Sequence, residues 1–216
     1  MLSGTTMRTV VTPGGDARVH VASTETPHLR ATLVLGHGAG GGIEAADLVA
    51  LAATLPRAGV TVIRVEQPWH VAGRRVATAP ASLDLAWVAV LTALALPGPV
   101  VVGGRSAGAR VACRTAGAVG AVGVVALAFP LHPPGRPERS RLAELESVGV
   151  PTLVVQGERD AFGGPAAFPR GWSSPCVVHP VLGADHSFRV TRTHDRDATL
   201  AGLTSAVADW LLGLLG

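Results

Sequence analysis

A chain of 216 residues and 21.9 kDa, 48% hydrophobic and 15% charged, can bury one sizeable core and lies far from the composition of disordered segments. It is read as one domain spanning 1–216, with residues 1–6 expected to be flexible. Its formal charge of +3 comes from 18 arginines scattered among 15 acidic residues, and tyrosine is absent. That pattern has neither the basic stripe nor the stacking aromatics of a nucleic-acid binder, so none is expected as a partner.

Residues 8–12 and 17–22, joined by Pro13-Gly14-Gly15-Asp16, predict an antiparallel hairpin with Val19 and Val21 facing inward. Strand-like runs then follow at 31–36, 60–65, 99–103, 121–128, 152–156 and 176–181. They alternate with helical patterns at 43–57, 83–95, 107–117, 138–147 and 197–214, which is the signature of βαβ units building a mostly parallel sheet flanked by helices. In the last helix Leu200, Leu203, Val207, Leu211 and Leu214 recur at helical spacing and form one docking stripe. Windows 85–104 and 116–135 carry no charge over a membrane length, but Pro97-Gly98-Pro99 breaks the first. Strands covered on both faces read as continuous apolar runs, so this apolarity is assigned to a core and no membrane contact is expected. The N-terminus lacks a charged segment followed by an apolar run, and Cys113 and Cys176 make no disulfide framework; a cytoplasmic location without a signal peptide is the expectation. The least regular segments, 66–82 and 129–140, follow strands, where ligands of open α/β sheets bind.

Gly104-Arg105-Ser106-Ala107-Gly108 stands where "VVV" gives way to "ARVACRTA". A chain that reverses from strand to helix within about two residues crowds the positions two either side of the serine, and glycine relieves that crowding. With 27 glycines in the chain the pattern arises easily by chance, so the flanking strand and helix are what give it weight. A serine hydroxyl needs a base within hydrogen-bond reach and an acid to orient that base. Asp160, just past the strand at 152–156, and His186, in "GADHSF" past the next strand, follow in that order. Glu158 and Asp185 are rival acids: the first is as well placed to pair with Arg159 or cap a turn, the second is a sequence neighbour of the histidine, whose side chain should point elsewhere. Two backbone N–H donors would be needed for an oxyanion, one from Ala107 and one from the loop "GHGAGGG" at 36–42, where Ala39 is preferred and Gly38 is next. His37 is read as a hydrogen-bonder beneath this loop. Gly38, Gly40 and Arg105 are candidate substrate contacts; Arg105 equally suits a structural ion pair.

Gly36-x-Gly38-x-x-Gly41, followed by Glu66 at the end of the next strand, also satisfies a dinucleotide fingerprint, so a Rossmann-type oxidoreductase competes. That alternative leaves the type, order and strand-end placement of Ser106, Asp160 and His186 without explanation.

The pieces "GHGAGG" (36–41), "GRR" (73–75), "GGRSAGARVA" (103–112), "FPLHPPGRPE" (129–138), "VPTLVVQGERDAFG" (150–163) and "GADHSF" (183–188) span most of the chain. With them the sequence resembles the α/β-hydrolase superfamily in its small dienelactone-hydrolase-like branch, and within it the hydrolase-like family of testis-expressed protein thirty and NSL complex subunit three. The resemblance implies Ser106 as nucleophile, Asp160 as acid and His186 as base, with the loop around His132 at the site entrance. Dienelactone hydrolases carry cysteine as nucleophile where position 106 is serine, so their substrate does not transfer. No stretch between 121–128 and 152–156 is long enough for a cap domain, and an open, shallow site is expected. These readings together point to a serine hydrolase of a small or medium acyl ester or thioester, chemistry that requires no metal or cofactor. Because some relatives serve in protein complexes, a silent hydrolase fold used as a scaffold is the alternative, although no protein partner is legible in the sequence.

Overall fold

Eight strands form one sheet in a computed structural model that describes residues 6–169 and 175–216. They are β1 (Thr6–Thr12), β2 (Gly15–Ala22), β3 (Ala31–Gly36), β4 (Val60–Glu66), β5 (Val100–Arg105), β6 (Gly123–Leu127), β7 (Thr152–Gly157) and β8 (Cys176–Val181). The spatial order is β1-β2-β4-β3-β5-β6-β7-β8, with β1 antiparallel to β2, β2 antiparallel to β4, and every other pair parallel. The expected hairpin closes through Pro13-Gly14: Thr12 pairs with Gly15, and its hydroxyl donates to Gly15 O at 2.7 Å. Thr6, expected to be flexible, instead opens β1 opposite Val21; residues 1–5 of that expectation lie outside the described residues.

The helices are α1 (Ala46–Thr54), α2 (Pro68–Val71), α3 (Pro80–Leu94), α4 (Ala107–Thr115), α5 (Leu142–Glu146) and α6 (Arg196–Leu215). Alternation along the strands sends successive side chains to opposite faces and divides the core in two. Leu33, Leu35, Val101, Val125 and Val155 meet Leu48 and Leu51 of α1 and Leu203, Val207 and Leu211 of α6. Val34, Val102, Val124 and Val154 meet Trp87 of α3, Val111 and Ala112 of α4 and Leu145 of α5. Each fully buried Leu or Val stabilises by roughly 1.5–3 kcal/mol, so the three residues of α6 suffice to dock it. By length and composition α6 could also cross a membrane, at a mean hydropathy of 1.5, yet here its buried stripe lies on the sheet. Arg114 of α4 bridges Asp84 of α3 and Glu144 of α5, which ties the helix after Ser106 to both neighbours.

Prolines and left-handed residues explain where the boundaries differ from the sequence pattern. The helix expected at 43–57 begins at Ala46 and tightens to a 3-10 turn over Leu55–Ala58, where Pro56 supplies no N–H and Gly59 (φ 84°) closes the end. Pro80 starts α3 three residues early, and Ala128 (φ 46°) follows the end of β6 at Leu127. The irregular segment 66–82 contains α2, opened by Pro68, and the helix expected at 138–147 shrinks to five residues behind the proline-rich loop. Among the described residues no cap domain is inserted above the carboxyl ends of the parallel strands.

Candidate active site

Two glycines let β5 turn into α4 against the end of β3. A Cβ on Gly104 (φ 157°) would lie 2.5 Å from Gly36 O, and one on Gly108 would collide with the same carbonyl oxygen. Between them Ser106 adopts φ 53° and ψ −111°, a conformation that L-residues rarely adopt and that costs of order 1–3 kcal/mol. It is held there by its N–H donating to Leu127 O at 2.9 Å and its carbonyl accepting from Arg110 N–H at 3.2 Å. The strained turn lifts the hydroxyl to the rim of the sheet.

At that rim three side chains meet. Ser106 Oγ is 3.0 Å from His186 Nε2, and His186 Nδ1 is 2.8 Å from Asp160 Oδ2. Since a carboxylate only accepts, Nδ1 carries the proton and Nε2 is left to accept from the Ser106 hydroxyl. Asp160 is buried, and it also accepts Gln156 Nε2–H at 2.9 Å on Oδ2 and Phe162 N–H at 2.8 Å on Oδ1. Gln156, fully enclosed in β7, shares its two Nε2 hydrogens among Asp160 Oδ2, Phe129 O and Gly163 O, so one amide fixes both the acid and the turn that bears it. The Phe162 ring packs on the imidazole with centroids 4.2 Å apart. Neither rival acid touches the ring: Glu158 accepts Gly183 N–H, and Asp185 accepts Ser187 N–H and Arg189 N–H in its own turn.

The glycine-rich loop after β3 is pinned by His37. Gln67 N–H donates to its Nε2 at 3.1 Å, which leaves the proton on Nδ1, within 2.9 Å of Gly38 O and 3.0 Å of Gly41 O. Burial holds His37 below the ordinary histidine pKa, against the opposing effect of its bond to Gly38. Ala39 and Ala107 line one cavity of about 10 Å³, near the smallest that holds a water, walled by Trp69, Ala77, Leu83 and Val111. Among the described residues neither the Ala39 nor the Ala107 amide donates to a protein group. A Cβ on Gly38 would sit 3.3 Å from that of Ser106, whereas Gly40 borders open space and lines a separate cleft of about 300 Å³ with Arg105.

The remaining candidates are engaged internally. Arg105 is 8% exposed; its Nε lies 3.2 Å from Asp47 Oδ2, and its Nη2 donates to His186 O at 2.7 Å. His132 is half-buried, donating its backbone N–H to Phe162 O and Nδ1–H to Pro133 O, so the 129–140 loop is laced to the turn that carries Asp160. Gln156, Phe162, Gln67 and Asp47 were not foreseen from sequence. Of these only Gln156 left a trace, as the one amide in the apolar run "TLVVQG".

The dinucleotide alternative is corrected by the fold. Glu66, its ribose-binding candidate, is bonded to His70 Nδ1 at 2.7 Å, and β4 is paired on one side with the antiparallel β2. Gly36 and Gly108 serve close packing of β3 on α4.

Solved structures carry the same fold. An α/β serine hydrolase without a lid from Xanthomonas campestris superposes with a TM-score of 0.71 at 20% identity, covering 97% of this chain and 96% of that one. A serine hydrolase homologue from Coxiella burnetii gives 0.73 at 18% identity, covering 98% and 97%. Est1E from Butyrivibrio proteoclasticus with ferulic acid bound gives 0.76 at 17% identity, covering 96% and 98%. Among curated proteins none matches the sequence. A family model described as an alpha/beta hydrolase domain matches residues 29–211, a span that holds Ser106, Asp160 and His186, and the chain belongs to that family.

Proposed function

We propose that the protein is a serine hydrolase that cleaves an ester or thioester of a small or medium acyl group through an acyl-enzyme. The observation that carries this reading is the unbroken chain from Ser106 Oγ through His186 to Asp160, at 3.0 and 2.8 Å. Ser106 Oγ attacks the acyl carbon while its proton passes to Nε2, and Asp160 stabilises the imidazolium that forms. The oxyanion accepts from the free amides of Ala107 and Ala39, with Gly38 giving the backbone room to approach. On collapse the alcohol or thiol leaves with the Nε2 proton; water, deprotonated in turn by His186, then releases the acid. The cavity between Trp69, Ala77, Leu83 and Val111 has room for no more than about a water beside the Ala39 and Ala107 amides, so the acyl group lies across the open rim, where Gly40 lines the neighbouring cleft.

The motifs shared with the hydrolase-like family of testis-expressed protein thirty support placing the chain in that subgroup. Its free cysteines fit the reducing cytoplasm. A fluorophosphonate probe is expected to label the native protein and to spare Ser106→Ala; equal labelling of both would overturn the assignment. Absence of turnover above that control across short and long acyl esters would favour the scaffold role instead.

A further inference from the structure

Two buried charges near the site have no part in the proton relay. Asp47, in the first turn of α1, is 2% exposed and Arg105 is 8% exposed. Burial pushes the Asp47 carboxyl above its ordinary value, against the pull of Arg105. Although 3.2 Å separates Arg105 Nε from Asp47 Oδ2, the two are not aligned as donor and acceptor, and neither atom completes a hydrogen bond among the described residues. A buried ion pair of this quality is a weak source of stability, and well-packed apolar residues in its place are often neutral or better. Its position is more informative than its strength. Arg105 precedes Ser106 in the chain, Nη2 donates to the carbonyl of His186 at 2.7 Å, and Nη1 lies 3.7 Å from where a Gly38 Cβ would be. One guanidinium thus abuts the turn of the serine, the loop of the histidine and the loop that offers the Ala39 amide.

The geometry points to Arg105, braced by Asp47, as a positioning residue that locks the His186 backbone at the distance Nε2 needs from Ser106. The inference rests on the hydrolase reading above. The flanking turn is held by Asp185 and Glu158, but the carbonyl of His186 has no other donor among the described residues, so Arg105 is the one direct tether on that carbonyl. Asp47 holds the guanidinium from behind by charge, Nε lying 3.2 Å from Oδ2, while Nη2 at the other end of the planar group takes the carbonyl. A lysine carries the charge but has no fork, and cannot hold both partners in one geometry.

Removing Arg105 alone strands a buried carboxylate and endangers folding, so the decisive variant is the double substitution Asp47→Leu/Arg105→Met, which leaves no charge behind. Four quantities are read: the melting temperature, kcat and KM for p-nitrophenyl acetate, and the low-field proton NMR resonance of His186 Nδ1–H. The double variant is expected to melt close to the wild type, to lose about 10²-fold in kcat at unchanged KM, and to show the resonance shifted or broadened. Arg105→Lys, which keeps the charge pair, is expected to fold and to lose part of kcat. A double variant with wild-type kcat and an unaltered resonance overturns the inference, as does full kcat in Arg105→Lys. The resonance separates this failure from that of the hydrolase reading. A wild type that shows it yet turns over no ester contradicts hydrolysis, while the resonance in the double variant still decides the role of Arg105.

Discussion

The turn that bears Ser106 and the loop that bears His186 arrive at the same point by different physics. The first is steric and local: Gly104 and Gly108 let α4 press on Gly36, and Ser106 is forced into its strained backbone by covalent neighbours. The second is polar and assembled at long range, by Asp160 on the imidazole, Gln156 on Asp160, and Arg105 on the His186 carbonyl. A position set by sterics fails with the fold, whereas one set by hydrogen bonds is able to fail alone. The elbow and the histidine loop should therefore separate under mutation.

The largest effect belongs to the steric half. Gly108→Val drives methyl groups into the Gly36 carbonyl, and circular dichroism with thermal melting is expected to find little or no folded protein. Folding with native stability would erase the contrast. Next comes the polar half: Asp160→Asn presents an amide where Nδ1–H and Gln156 both require an acceptor. A loss of about 10⁴-fold in kcat is expected, with a melting temperature far closer to wild type than that of Gly108→Val. Ala39→Pro deletes an amide proton without touching the serine, histidine or aspartate, and should reduce kcat by about 10²–10³-fold while leaving the His186 Nδ1–H resonance in place. The smallest effect is on pH dependence. His37 is held below 6.5, so the unfolded chain takes up its proton first; stability is complete above about pH 6.5 and declines as pH falls below it. The slope is at most about 1.4 kcal/mol per pH unit, and urea titrations of His37→Asn should show it flattened.

The difference between the two halves also explains what the sequence disclosed. An elbow is written in five consecutive residues because its constraint is local, so Gly104, Ser106 and Gly108 stand out even in a glycine-rich chain. The strands, buried on both faces, were readable as apolar runs, and strand-end position picked out Asp160 and His186. Choosing Asp160 over Glu158 required knowing which carboxylate the turn after β7 points inward, a matter decided by Gln156 and by the amide of Phe162. Arg105 was left open between a substrate contact and an ion pair because its partners, Asp47 and His186, lie far from it along the chain. The helix boundaries that moved did so at Pro56 and Pro80, where a missing amide proton outweighs the apolar period.

The uncovered carboxyl end of the sheet has a consequence for how such a protein chooses its substrate. On the proposed reading, with no described segment lying over it, Ser106 is reached directly from solvent. On the proposed hydrolase reading, selection rests on the contacts that the rim itself makes, because the gap between Trp69 and Val111 has room for no more than about a water.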